Sequence, residues 1–231
     1  MVRAMVKTQT FERKTTDGAI PLVITADEGP SLPTLVVVPS IFGVGDDLLA
    51  QMNELASGAI VVAMDPFWRV DPGAVGYDDA PRAVARMKAL DMAACYRDVV
   101  SILGWAKNHP RGNGTVTILG ICFGGPFSLL AAADGHVDGV ATWHGSRMQH
   151  FLERVADMTC PMVHHVGGAD AVVPPEAVDA LRAAFAERED VSIVVHPGAA
   201  HGFTHRGNQH HDERAEEAAM ADVAALLRHL A

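Results

Sequence analysis

Cys122 sits in the stretch Val116-Thr117-Ile118-Leu119-Gly120-Ile121-Cys122-Phe123-Gly124-Gly125-Pro126, an apolar run that breaks at glycines and ends at a proline. Read as G-x-C-x-G-G, it is a strand, turn and helix of the nucleophile-elbow type, with cysteine where serine is usual. Such a turn holds its nucleophile in a strained conformation above the sheet, and glycines two positions to either side avoid clashes with neighbouring backbone. Gly120 and Gly124 fill those places. The helix that follows points its free N–H groups at the sulfur, an arrangement that favours an anion there. Cys122 is therefore the candidate nucleophile. Cys95, on the apolar face of a helical pattern, and Cys160, at the head of an apolar strand, lack this glycine punctuation and read as small buried hydrophobes.

A thiol nucleophile needs a base within hydrogen-bond reach and a group that orients the base. On a nucleophile-elbow fold these follow in the order acid, then histidine, each after a later strand. Asp170 lies in Gly167-Gly168-Ala169-Asp170 after one apolar run, and His201 in Pro197-Gly198-Ala199-Ala200-His201-Gly202-Phe203 after the next. His201 is expected to take the thiol proton and return it to the leaving group, with Asp170 fixing its tautomer. The oxyanion of an acyl-transfer intermediate requires N–H donors. Phe123, next after the nucleophile, and Ile41, in the early loop Pro39-Ser40-Ile41-Phe42-Gly43, are the expected backbone donors. Phe42, Trp143 and Phe203 are candidate walls of a substrate pocket, and His144, which follows a buried run, is expected to line the same crevice.

The elements that must carry these residues are legible as short Val- and Ile-rich runs: Thr34 to Val38, Ala59 to Met64, Val116 to Ile121, Val137 to Trp143, Pro161 to Val166 and Val191 to Val195. Their continuous hydrophobicity suits parallel strands covered on both faces. Helical spacing marks Asp46 to Ala56, Asp91 to Asn108, Pro126 to Ala133, Pro175 to Glu187 and Asp212 to Leu230. Strand and helix alternate, so an α/β fold with a mostly parallel sheet is predicted, and strand ends then converge on one crevice. Phe11 to Thr25, turning at Asp17-Gly18, reads as an antiparallel hairpin at the sheet edge within residues 1–30. No linker or composition shift divides the 231 residues, so a single domain over 1–231 is expected.

Composition narrows the function classes. The 18 basic and 28 acidic residues leave a formal charge of −10, which repels phosphate backbones and argues against nucleic acid as a partner. No run reaches the roughly 18–20 apolar residues of a membrane span, and the N-terminus lacks a secretory apolar block, so a cytoplasmic protein without membrane partners is expected. Three scattered cysteines fit reduced thiols. His164 and His165 are adjacent on a strand and point to opposite faces, while His210 and His211 lie in a polar loop. No metal site is expected from them, and no cofactor: Gly43-x-Gly45 lacks a third glycine, and Gly120 to Gly125 lacks a phosphate-loop lysine.

With Cys122, Asp170 and His201 identified, the chain resembles the dienelactone hydrolase family, the cysteine branch of the α/β-hydrolase fold. The resemblance covers nearly the whole length. It adds Ile41-Phe42-Gly43-Val44, Asp65 before an aromatic segment, Gly167-Gly168-x-Asp170-x-x-Val173-Pro174 and His201-Gly202-Phe203. It implies an eight-stranded sheet with helices on both faces and a monomer that opens enol-lactone rings through a thioacyl enzyme. The helix and strands between Cys122 and Asp170 leave no segment long enough for a cap domain. Two positions depart from the family pattern. The family's glutamate before Ile-Phe-Gly is Ser40 here, and the arginine four residues after the histidine is replaced by His205, with Arg206 next. A carboxylated substrate would then draw its cations from Arg206, Arg82 or Arg86. The expected substrate is a small lactone or ester, carboxylated or not. A redox-reactive thiol and a non-catalytic small-molecule binder are the other readings of the same site.

Overall fold

A computed structural model describes residues 7–26, 28 and 31–231. An eight-stranded sheet forms its centre, in the order β1-β2-β4-β3-β5-β6-β7-β8. The strands are β1 (Lys7–Thr15), β2 (Gly18–Ala26), β3 (Leu32–Val38), β4 (Ile60–Met64), β5 (Gly112–Ile121), β6 (Gly139–Trp143), β7 (Met162–Gly167) and β8 (Val191–His196). From β4 through β8 every neighbouring pair is parallel. The hairpin β1–β2 is antiparallel and docks through β2 onto β4. It leaves β1 as the sheet's exposed, largely polar edge, which suits a strand with an unpaired side.

The helices are α1 (Asp46–Leu55), α2 (Ala80–Ala89), α3 (Met92–Lys107), α4 (Gly125–Ala133), α5 (Pro175–Ala184) and α6 (Glu213–Leu230). Side chains alternate between the faces of a strand, and the core divides accordingly. Val36, Val38, Ile60, Val62, Val116 and Ile118 pack with Val99, Ile102 and Leu103 of α3 and Phe127 of α4. Leu35, Val37, Val61, Ala63, Leu119 and Ile121 pack with Met52 of α1 and Ala219 and Val223 of α6. Two covered faces explain why the inner strands read as unbroken apolar runs: β4, β6 and β7 are buried at every residue. Helix starts follow ordinary capping, with Asp91 accepting from the N–H groups of Ala93 and Ala94 and Asp212 from Ala215.

Three elements are not foreshadowed by the sequence pattern: the 3-10 turn Tyr77–Asp79, α2 that follows it, and the 3-10 segment Met148–Asp157, which packs beside α4. Among the described residues no cap domain lies in the connections at the carboxyl ends of the parallel strands. Among the described residues no helix is long and apolar enough to cross a membrane.

Candidate active site

The site is built at the carboxyl ends of β3, β5, β6, β7 and β8. Cys122 follows β5 directly and has a φ of +51°, in the left-handed region that is costly for a residue with a side chain. Close packing holds it there. A Cβ on Gly120 would meet Gly124 O at 2.5 Å, and one on Gly124 would meet Val38 O at 2.1 Å. Both contacts are far inside van der Waals distance, so β5, the turn and β3 approach one another only because both positions are glycine. The carbonyl of Cys122 accepts from the N–H of Ser146 at 3.0 Å, tying the turn to the loop after β6.

Asp170 is buried after β7. Its Oδ1 accepts from the N–H groups of Val172 and Val173 at 2.8 and 2.9 Å, which leaves Oδ2 to face His201 Nδ1 at 2.8 Å. His201 Nε2 lies 3.1 Å from Cys122 Sγ. A carboxylate only accepts, so Nδ1 carries a proton and Nε2 is the nitrogen that exchanges one with sulfur. Burial works against charge on His201. The hydrogen bonds to Asp170 and Cys122, and their negative charges, outweigh it and raise the imidazole to about 10. Burial pushes the Cys95 thiol up to about 12 and the Cys160 thiol up to about 11.

The loop after β3 carries Ser40, Ile41 and Phe42. Ser40 is buried, its Oγ accepting from the N–H of Phe42 at 3.3 Å and its carbonyl from Gly43 at 3.0 Å, so its hydroxyl shapes the turn. Phe42 meets Tyr77 and His205 edge-on. His205 in turn stacks on Tyr77 and abuts His144, which abuts His201. A continuous row of rings thus runs from Tyr77 to His201. His144 is fully buried at a φ of +39°, its Nε2 3.0 Å from Thr204 Oγ1. Burial, then the charges of His201 and His205, hold His144 well below its ordinary value. Burial and the charge of His201 bring His205 down to about 3.

Several expected substrate contacts are engaged elsewhere. Trp143 is fully buried in the core beneath the α1 and α6 face, because its position in β6 points into the sheet packing. Phe203 is also fully buried and backs His144 and His196. Arg86 is 3% exposed; Nε and Nη2 donate to Ile41 O, and Nη1 donates to Asp71 O and Gly73 O. It clamps loops from within. Arg82 is exposed and forms a two-point pair with Asp71. Arg206 is paired to Glu216 and Glu54, and it borders a recess that also contains Asp46 and Asp47. Each of the three guanidinium groups therefore already has acceptors. A cavity of about 470 Å³ between the hairpin and Val44, Gly73 and Ala74 contains none of Cys122, Asp170 or His201. Sequence pattern alone reveals neither Tyr77 nor the packed role of His205; both depend on residues far apart in the chain.

Residues 20–231 match the model of the dienelactone hydrolase family. The chain is 28% identical over 176 residues to a carboxymethylenebutenolidase of Pseudomonas putida, covering 74% of this chain and 75% of that protein. One from Pseudomonas knackmussii matches with the same figures. In three dimensions the chain is similar to a Klebsiella pneumoniae protein provisionally described as a dienelactone hydrolase. The TM-score is 0.85 at 22% identity, over 97% of this chain and 99% of that one. It is also similar to a dienelactone hydrolase-like promiscuous phosphotriesterase from metagenomic libraries, with a TM-score of 0.81 at 20% identity over 97% and 98% of the two chains.

Proposed function

The chain belongs to the dienelactone hydrolase family and is an ester or lactone hydrolase, and from that premise we propose that it cleaves small, uncharged lactones or esters through an acyl thioester on Cys122. The observation that carries the reading is the line from Asp170 Oδ2 through the His201 ring to Cys122 Sγ, at 2.8 and 3.1 Å.

In the proposed reaction Cys122 Sγ attacks the substrate carbonyl carbon as its proton resides on His201 Nε2. Asp170 stabilises the imidazolium, consistent with the raised pKa of the ring. The carbonyl oxygen becomes an oxyanion next to the N–H groups of Phe123 and Ile41, the donors proposed to receive it. As the intermediate collapses, the ester C–O bond breaks and His201 protonates the departing oxygen. In a lactone that oxygen stays attached to the acyl chain. Water then gives a proton to His201 and attacks the thioester. Collapse expels the sulfur, which recovers its share of the His201 proton, and releases the acid.

An uncharged substrate is favoured because Arg82, Arg86 and Arg206 are already paired or clamped, and because a surface of net charge −10 gives no long-range pull on an anion. Stopped-flow hydrolysis of an activated aryl acetate tests the nucleophile. A burst equal to the enzyme concentration is expected, absent in Cys122→Ala, with His201→Ala losing about 10²–10⁴-fold in kcat/KM. Turnover that survives in Cys122→Ala overturns the reading. A panel of matched lactones tests the substrate class: the neutral member is expected to react at least as fast as its carboxylated partner. A preference for the carboxylate that disappears in Arg206→Gln would reverse that conclusion.

A further inference from the structure

His144 is fully buried, and its Nδ1 is without a hydrogen-bond partner among the described residues. Leaving a buried polar atom unpaired is costly, so its surroundings bear on what it can serve. Cys122 Sγ and one nitrogen from each of His201 and His144 lie within 4.8 Å of one another. They are the one group of three or more potential metal-ligating side chains of this kind among the described residues. We propose that Cys122, His144 and His201 form a reversible binding site for a thiophilic divalent cation of the zinc class, and that occupancy switches the hydrolase off.

The donor set is sulfur and two imidazoles, which suits a borderline-soft ion and excludes hard cations that need several oxygens. Ordinary Zn–S and Zn–N bonds of about 2.3 and 2.0 Å place tetrahedral donors about 3.5 Å apart. The sulfur-to-His201 separation of 3.1 Å is already close to that, and drawing in the third donor takes a shift of about 1 Å. Cys122 and His201 are both part-exposed, giving an ion access and leaving its fourth position open to water. Both histidines carry the outer partner typical of metal-bound imidazole. His201 Nδ1 donates to Asp170, and His144 Nε2 is 3.0 Å from Thr204 Oγ1, which can accept its proton and leave the Nδ1 lone pair free. The thiolate and the Asp170 carboxylate together balance the charge of the ion. Binding releases the one proton shared by Cys122 and His201 to solvent, forms one metal–sulfur bond and two metal–nitrogen bonds, and involves no redox change.

Loss of activity rests on the nucleophile reading above, since the ion would occupy the two atoms that start the reaction; binding itself does not. Cobalt(II) is the probe. Added to the intact protein, it is expected to give a near-ultraviolet sulfur-to-cobalt charge-transfer band that titrates at one equivalent, vanishes in Cys122→Ser and is displaced by zinc. Zinc is expected to protect Cys122 from iodoacetamide until a chelator is added. Competition with a chromophoric chelator should show affinity weakened by about tenfold in Thr204→Val, which removes the hydroxyl bonded to His144, and by more in His144→Phe. Circular dichroism identifies a variant that has failed to fold, and Thr204→Val carries the test if His144→Phe does. Cobalt that binds without a thiolate band, or zinc affinity unchanged in Thr204→Val and His144→Phe, assigns the ion to surface histidines and overturns the proposal. If the band appears but zinc leaves ester turnover intact, the binding site stands and the nucleophile assignment falls. A Cys122-dependent burst with no band does the reverse, removing the metal site and leaving the nucleophile in place.

Discussion

Asp170 is shared between two tasks on its two oxygens, since Oδ1 is held by the N–H groups of Val172 and Val173 while Oδ2 meets His201. An amide at this position keeps its oxygen on the two backbone donors and turns its NH₂ toward His201 Nδ1. That forces the proton onto Nε2 and removes the lone pair proposed to accept the thiol proton. Asp170→Asn is therefore expected to fold normally and to lose about 10³–10⁴-fold in kcat/KM on an aryl ester. The His201 ring should also fall from about 10, which NMR titration of the imidazole would read. Retained activity would contradict this use of Asp170. That Cys122, Asp170 and His201 come together was legible because each follows an apolar strand with glycine next to it or nearby, a signal confined to a few residues. The arginines were not. Arg206 is neutralised by Glu54, 152 residues away in sequence, and by Glu216 on α6, and no local pattern reports a partner supplied by another element.

Arg86 turns α2 into a fastener for the loop that carries Ser40, Ile41 and Phe42. Its guanidinium meets three carbonyls and lies 4.2 Å over the Phe67 ring. Arg86→Met keeps the bulk but strands those carbonyls. A loss of about 3 kcal/mol in urea unfolding is expected, together with a fall in kcat larger than any rise in KM, because the Ile41 N–H, the proposed oxyanion donor, would no longer be fixed. Unchanged kcat in a destabilised variant would show that the clamp serves stability alone. The same residue explains why α2 was unreadable. Its buried side chains are Ala83 and Arg86, so a charged residue occupies the inward stripe and the apolar periodicity that reveals a helix is missing. Where apolar residues dominate the inward stripe, as along α3 and α6 despite the buried Asp98 and Glu216, helix position was legible to within a residue or two. The parallel sheet was legible for a related reason: strands buried on both faces are rich in Val, Ile and Leu, as β3 and β4 are.

Across the whole molecule, buried histidines set the response to acid. Burial takes His164 down to about 4. Burial, with the charges of His196 and His164, takes His165 to about 3, and burial with the charge of His201 takes His205 to about 3. Each titrates near 6.5 when unfolded, so below that pH the unfolded chain binds protons that the folded chain refuses. Stability therefore falls as pH drops from about 6.5 toward the folded values. At pH 5 the loss is about 2 kcal/mol for each of His164 and His205 and smaller for His165, whose Nε2 lies 3.3 Å from the Asp222 carboxylate that favours a proton there; together this is a large share of the roughly 5–15 kcal/mol that holds a protein together. His201 acts with the opposite sign. Its raised pKa gives stability that is complete below about pH 6.5 and is lost as pH rises through about 10. Carboxylates titrate mainly below pH 5, so relief of the −10 surface charge offsets little of the histidine effect between pH 7 and 5. The melting temperature is expected to drop by about 10 °C or more over that interval. His164→Gln, which keeps a polar group near Thr142 Oγ1 but cannot be protonated, should flatten the slope. A melting temperature that is level from pH 7 to 5 in the parent, or an equally steep fall in His164→Gln, would show that these buried rings do not govern acid stability.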